Sequence, residues 1–385
     1  MVKIEMADRL GSVGEYYFSR KLAEVDRLRR QGRDVINLGV GSPDMPPAPE
    51  VVEALHRVSL DRNSHGYANY KGTPKLLEAV ARWYERKYGV ELDPAAEVLA
   101  LYGSKEGLIF LCEAFINGGD RVLVPDPGYP AYSASVRLAG GVPVPYLLTE
   151  ENGWMPDFEA LEQSDLRGVK MMMLNYPHMP SGTLPAEGMF GRLVDFARRH
   201  DILLVHDNPY SFIRNDDPQS ILSTPGAKEV AVELNSLSKS HNMAGWRVGM
   251  MVGSPEVLGP VLRYKSNLNN SMFMPVQYAA AVALDLPDEW YVEVNRTYRS
   301  REGIAYRILD TLGCSYSPGQ AGLFVWGRLP EGAGDSYGFI DRILCDKNVF
   351  VTPGAIFGSG GKDYIRISLC ADERMLEKAL NRLQQ

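Results

Sequence analysis

Residues Ser236 to Met250 read SLSKSHNMAGWRVGM. This stretch sets one lysine, Lys239, among serines at the end of an apolar run, with Arg247 following in the same segment. A surface lysine in water needs no such surroundings. A lysine that loses its proton and attacks a carbonyl does, because a partly desolvated, electropositive position lowers the pKa of the amine. The run leading in, EVAVELNSLSK, and the run leading out, RVGMMVG, both have the length and β-branched content of short strands. Lys239 then sits just past a strand end. On this stretch alone two readings stay open, a nucleophilic amine and a solvated loop lysine.

Five further strand-like runs precede it: EVLALYGS, RVLVPDP, VPVPYLL, VKMMMLNYP and ILLVHDNPY. Helical patterns such as SKEGLIFLCEAFI and MFGRLVDFARRHD lie between them. Continuous apolar strands separated by helices imply a largely parallel sheet covered on both faces. The expected fold is therefore α/β, with a mostly parallel seven-stranded sheet in a large domain spanning residues 46–275. The remainder reads differently. DEWYVEVNRTYRSREGIAYRILDTLG predicts a long helix ending at Gly313, followed by GLFVWGRLP, a helix near SYGFIDRILCDKN, then VFVTPG, YIRISLC and a last helix. That pattern predicts a smaller α+β domain built from both termini, residues 1–45 plus 276–385. Two lobes also suit a chain of 385 residues, which exceeds the size of a single core.

Composition narrows the function classes. Forty-five per cent apolar and 23% charged residues are ordinary for a globular protein, and a net charge of −7 without a basic segment gives no support for nucleic-acid binding. No apolar run approaches membrane-spanning length, and MVKIEMADRLGSVGEYYF lacks the uninterrupted apolar core of a secretory signal. Four scattered cysteines without a C-x-x-C suit reduced thiols in a cytoplasm, and six histidines show no H-E-x-x-H pattern, so metal catalysis is not expected.

Open α/β sheets bind ligands beyond the carboxyl ends of their strands. Gly103-Ser104, Asn175, Asp207 and Lys239 each end one predicted strand. Asp207, with Tyr210 three residues on, needs a cationic partner if it is buried; a protonated pyridine nitrogen would serve, and so would a simple helix-capping role. YGSKEGL puts Gly103-Ser104-Lys105 directly before a helix, where free N–H groups favour a phosphate, although the same residues are common caps. Arg366, inside the apolar strand YIRIS, either faces solvent or forks a carboxylate.

Together these pieces resemble the class I/II aminotransferases of the fold-type-I pyridoxal-phosphate enzymes. The resemblance runs over nearly the whole chain and rests on motifs in family order: LGVGSPDMPPAP, GYANYKG, GSKEGL, DPGYPAY, NYPHMPSG, DNPY, SLSKSHNMAGWRVG, PGQAGLFVW, PGAIFG and YIRIS. It implies pyridoxal 5'-phosphate as cofactor, with Lys239 as the Schiff-base lysine that also moves a proton, Asp207 on the pyridinium and Tyr210 on the phenolic oxygen. Tyr129 would stack on the ring. Gly103, Ser104, Lys105, Ser236 and Arg247 would cradle the phosphate, and Asn175 and Met179 would lie at the cofactor. Arg366 would bind the substrate carboxylate near Gly41. Tyr67 would reach the phosphate of a second copy, which makes a cytoplasmic homodimer the expected assembly. The reaction implied is transfer of an amino group between an L-α-amino acid and a 2-oxo acid.

One motif departs from the family. NYPHMPSG has Met179 where an asparagine usually precedes Pro-Thr-Gly, and a thioether donates no hydrogen bond. His178 and Asn175 are the candidates to replace it. The departure raises the share of rival reactions on the same fold, namely C–S lysis, decarboxylation and cyclopropane formation. Ser236-Leu237-Ser238-Lys239 is also a literal S-x-x-K and Tyr67-Ala68-Asn69 a literal Y-x-N, but their order is wrong for an acyl-serine hydrolase and no K-T-G follows. A cofactor-sensing regulator would need a DNA-binding module, for which the residues before Val35 are too few. GVGSPD lacks the third glycine of a dinucleotide fingerprint.

Overall fold

The computed structural model describes residues 2–385. All seven predicted strands form and join in one sheet: β1 (Val98–Leu101), β2 (Arg121–Asp126), β3 (Val142–Leu147), β4 (Val169–Leu174), β5 (Leu203–Asp207), β6 (Ala231–Ser236) and β7 (Gly249–Gly253). Their spatial order is β1-β7-β6-β5-β4-β2-β3. Only β7 runs antiparallel to its neighbours, so the fold is α/β with a mostly parallel sheet.

The apolar runs are continuous because both faces are covered. Alternate residues Leu99, Leu101, Val122, Val124, Met171 and Met173 enter one buried cluster, while Val98, Ala100, Leu123, Met172 and Leu174 enter the other. The two-residue period of a strand distributes them between the layers. β3 is the exception. It lies at the edge, carries Pro143 and Pro145 and leaves Val142 and Leu147 exposed, as an edge strand can.

The predicted helices form as Ser104–Phe115, Met189–His200, Asp288–Thr311 and Ser336–Lys347. Five more, Pro49–Ser59, Pro74–Tyr88, Pro130–Leu138, Pro255–Leu268 and Met274–Leu284, complete the layers around the sheet. Met274–Leu284 packs on Pro49–Ser59 and Pro74–Tyr88.

A second sheet is antiparallel and three-stranded: β8 (Phe324–Arg328), β9 (Thr352–Pro353) and β10 (Tyr364–Ser368), in the order β9-β10-β8. The N-terminal residues Ile36–Asn37 pair with Val349–Phe350, which draws the start of the chain to its end. Arg301 on the long helix binds Asp44 through both terminal nitrogens, at 2.6 and 2.9 Å, a second tie between the two ends.

Candidate active site

A cavity of about 390 Å³ opens at the carboxyl ends of β4, β5 and β6. Lys239, Asp207, Tyr210, Ser104, Lys105, Tyr129, Asn175, Met179, Ser236, Arg247, Arg366 and Gly41 all contribute to its wall. They come from segments as far apart as Gly41 and Arg366, and the sheet topology collects them.

At one end lies a cradle of positive and N–H groups. Gly103 caps the helix Ser104–Phe115 with φ +83°, and a Cβ there would stand 2.3 Å from Arg247 Nη2, so only glycine allows this approach. Gly249 has the same role from β7, since its Cβ would meet the backbone of Gly103 and Ser104 at 2.7 Å. Arg247 takes a left-handed φ of +58° and donates to Tyr102 O at 3.2 Å and Ala244 O at 3.0 Å. Ser236 Oγ accepts the Ser238 N–H at 3.1 Å and lies 2.8 Å from Ser238 Oγ. All these contacts are to neutral oxygens, so the Arg247 charge stays free for an anion. Lys105 extends over the Tyr16 ring, 5.1 Å from its centroid.

Asp207 forms the floor. Tyr132 Oη donates to its Oδ2 at 3.0 Å, while Oδ1 is buried and has no partner. Burial, the largest influence, raises its pKa to about 6; the Tyr132 hydrogen bond works the other way. A carboxylate held so calls for a cationic N–H at Oδ1.

Lys239 stands between floor and mouth, with Nζ donating to Gly41 O. Burial lowers its pKa, and the charges of Arg366 and Arg247 push the same way. A lowered pKa favours the neutral, nucleophilic form that chemistry at a carbonyl needs.

The far end belongs to Arg366. Its guanidinium lies flat on Phe324, 3.6 Å from the ring centroid, with Phe357 at 4.6 Å. Nη2 donates to Gly39 O at 3.1 Å, Nη1 points at Met179 Sδ at 3.1 Å, and Nε has no partner. Burial brings its pKa down to about 10, which leaves it charged at neutral pH. A buried cation without a carboxylate is costly, and an incoming substrate carboxylate relieves that cost. The solvent-facing alternative for Arg366 is excluded, since it is 4% exposed.

The comparisons with known proteins agree with this geometry. The chain matches the family "Aminotransferase class I and II" over residues 33–383. The chain belongs to the class I/II aminotransferases. It is 39% identical to an LL-diaminopimelate aminotransferase of Oleidesulfovibrio alaskensis, over 100% of this chain and 99% of that one. An enzyme of the same name from Aquifex aeolicus is 40% identical, with 97% of both chains covered. Among solved structures, substrate-bound BacF from Bacillus subtilis superposes with a TM-score of 0.95 at 35% identity, covering 99% of this chain and 98% of that one. A Thermus thermophilus aspartate aminotransferase mutant does so at 0.91 and 28% identity, covering 99% of both. The protein is thus a pyridoxal-phosphate-dependent transaminase of fold type I. The orphaned Asp207 Oδ1 and the glycine-lined cradle beside Arg247 fit the two ends of that cofactor.

The structure bears on three of the sequence expectations. Asn175 has one Nδ2 proton committed to Asp207 O at 2.5 Å and its Oδ1 accepts the Met179 N–H at 2.8 Å, which leaves its second N–H as the donor available beside position 179. His178 cannot stand in: it is buried between Ser181 Oγ at 2.7 Å and Pro127 O at 3.0 Å and kept neutral by burial, with a pKa of about 4. Tyr67, expected at the phosphate of a second copy, is 86% exposed and lies outside this chain's own cavity. Tyr132, Phe18, Phe324 and Phe357 were not read as site residues. Tyr132 sits inside the quoted motif DPGYPAY, so its position was visible, whereas the phenylalanines carry no local signal of their contact with Arg366.

Proposed function

We propose that this aminotransferase holds its cofactor with Lys239, Asp207, Tyr210 and the Gly103–Lys105/Ser236/Arg247 cradle, binds the substrate α-carboxylate on Arg366, and takes LL-diaminopimelate as amino donor with a 2-oxo acid as acceptor. The observation that carries the site reading is one cavity joining a lysine of lowered pKa, an unpartnered aspartate oxygen and a buried arginine without a carboxylate. The names of the relatives support the donor.

When bound, the cofactor supplies an electron sink for the pair released at the substrate Cα. The residues do the rest. Asp207 keeps the ring nitrogen protonated. Arg366, fixed flat by Phe324 and Phe357, orients the donor by its carboxylate. Lys239, whose Nζ donates to Gly41 O, would take the proton from the substrate Cα and hold it for return. Tyr16, Phe18 and Leu22 line the mouth and restrict water.

We assign the assembly as a homodimer in the cytoplasm. Tyr67, Tyr70, Leu268 and Phe273 are exposed on one surface joined by the Ala68 N–H to Ser271 Oγ bond, a patch suited to burial against a second copy. The four cysteines are unpaired, and no helix among the described residues is long and apolar enough to cross a membrane. We also propose two units, a large one and one from both termini, with the second boundary near Leu284 rather than residue 275, because Met274–Leu284 packs on helices of the large unit.

The test is the visible absorbance of the cofactor-loaded protein as L-amino acids are added without acceptor. LL-diaminopimelate should convert the band, and a 2-oxo acid should restore it. Release of carbon dioxide or thiol with a persisting band would assign a decarboxylase or lyase instead.

A further inference from the structure

We propose that His206 is a positioning residue for this site: a protonated imidazolium, paired with Glu233 on the face of β5 opposite the cavity, that keeps Asp207 ionised for the cofactor. The inference rests on the reading of Asp207 as the cofactor's counter-ion.

The hydrogen-bond inventory carries it. His206 and Glu233 are both 0% exposed. His206 Nδ1 lies 2.8 Å from Glu233 Oε2, and Nε2 lies 3.0 Å from Tyr176 O. A carbonyl oxygen only accepts. The Tyr176 N–H lies farther from the same Nε2, at 3.4 Å, so the carbonyl is the nearer partner.

Glu233 is itself surrounded by donors. Tyr84 Oη reaches Oε1 at 2.9 Å and Asn208 Nδ2 reaches it at 3.4 Å; Ser220 Oγ and the Ile221 N–H reach Oε2 at 2.8 and 3.2 Å. Such a set suits an ionised carboxylate. With an acceptor as the nearer partner of each ring nitrogen, a proton on both completes the set.

Around this pair stand Tyr84 and Tyr88 from the helix Pro74–Tyr88, the Phe190 ring of Met189–His200 at 5.1 Å, and Asp207 on the same strand as His206. A buried ion pair is a poor source of stability, so its placement one residue from Asp207 invites an electrostatic role. Successive side chains of β5 face opposite ways, which sets the imidazolium behind the carboxylate without touching the cofactor. The His206 charge draws the Asp207 pKa down, against burial, and Glu233 offsets part of that pull.

Two measurements decide it. In cofactor-free protein labelled with ¹⁵N-histidine, the resonances of His206, assigned by their loss in His206→Gln, should show both ring nitrogens protonated at neutral pH. A neutral His206 near pH 7 overturns the proposal. The second reads cofactor retention against pH. His206→Gln should move the acid midpoint of cofactor loss up by about one pH unit, a tenfold gain in the proton affinity of Asp207. His206→Gln with Glu233→Gln should return most of that shift, since the uncompensated anion is gone.

A role in packing alone would leave the midpoint in place, or displace it as far in the double variant as in the single one; either result sinks the proposal. Asp207→Asn separates the two readings. If it keeps its cofactor as well as the parent, the counter-ion reading fails. If it loses cofactor while His206→Gln shifts nothing, only the role of His206 fails.

Discussion

The two ends of the cavity are built on different principles. The cradle end is made of backbone and short polar side chains at strand and helix termini: Gly103, Ser104, Ser236, Ser238 and Arg247, all within the large sheet's carboxyl edge. Arg247 there has neutral oxygen partners, and Gly103 and Arg247 both hold left-handed turn positions. The Arg366 end is a charge enclosed by Phe324, Phe357 and the Met179 thioether, drawn from three separate segments. The first end is preorganised to hold one unchanging anion. The second is a desolvated cation whose energy is recovered only when a carboxylate arrives, which suits a ligand that enters and leaves at every turnover.

The contrast can be broken first at its middle. Lys239→Ala should cut kcat by at least about 10³-fold, the upper part of the usual range for a proton-transfer group, while Arg366-dependent binding of a carboxylate inhibitor persists. Loss of both together would mean that the two ends are not separable.

The floor should reveal itself through pH. In cofactor-free protein Asp207 has a folded pKa of about 6 against an ordinary 3.8. The folded chain therefore holds the extra proton, and this group's contribution is complete below the ordinary value and lost as pH rises to about 6. The loss is ~3 kcal/mol in principle. The cofactor's cation offsets it, so the gain in Tm on loading should grow as pH climbs through that window. A gain independent of pH would remove Asp207 from the cofactor.

At the substrate end, Arg366→Lys should raise KM for the amino donor about 10- to 100-fold and leave cofactor affinity nearly unchanged, because a point charge replaces a stacked fork. Met179→Leu should be milder. It removes a weak acceptor and keeps the volume, so KM should change by about 2- to 5-fold with kcat held. A collapse of kcat instead would show that the thioether serves the chemistry rather than the orientation of Arg366.

Much of the fold was legible because parallel strands buried on both faces leave continuous apolar runs, and seven of these became the seven strands. The helices Pro49–Ser59, Pro74–Tyr88, Pro130–Leu138 and Pro255–Leu268 were not read, although each starts with proline at its first turn, a signal that was present. The cradle, Asp207 and Lys239 were legible because their positions follow from strand ends and short motifs. His206 was hidden inside the strand run ILLVHDNPY, where one polar residue on an apolar strand does not name its partner.

By itself, then, the sequence determined what is local or periodic: strand and helix identity, the lysine turn, the Gly-Ser-Lys at a helix start, and the family with its cofactor. Only the tertiary structure decided what depends on distant groups meeting. That Arg366 is buried without a carboxylate, that His178 is already committed, and that Glu233 lies against His206 all follow from contacts between separate segments. Burial and partner geometry set the charge state of such groups, and neither is a property of a residue's neighbours in the chain.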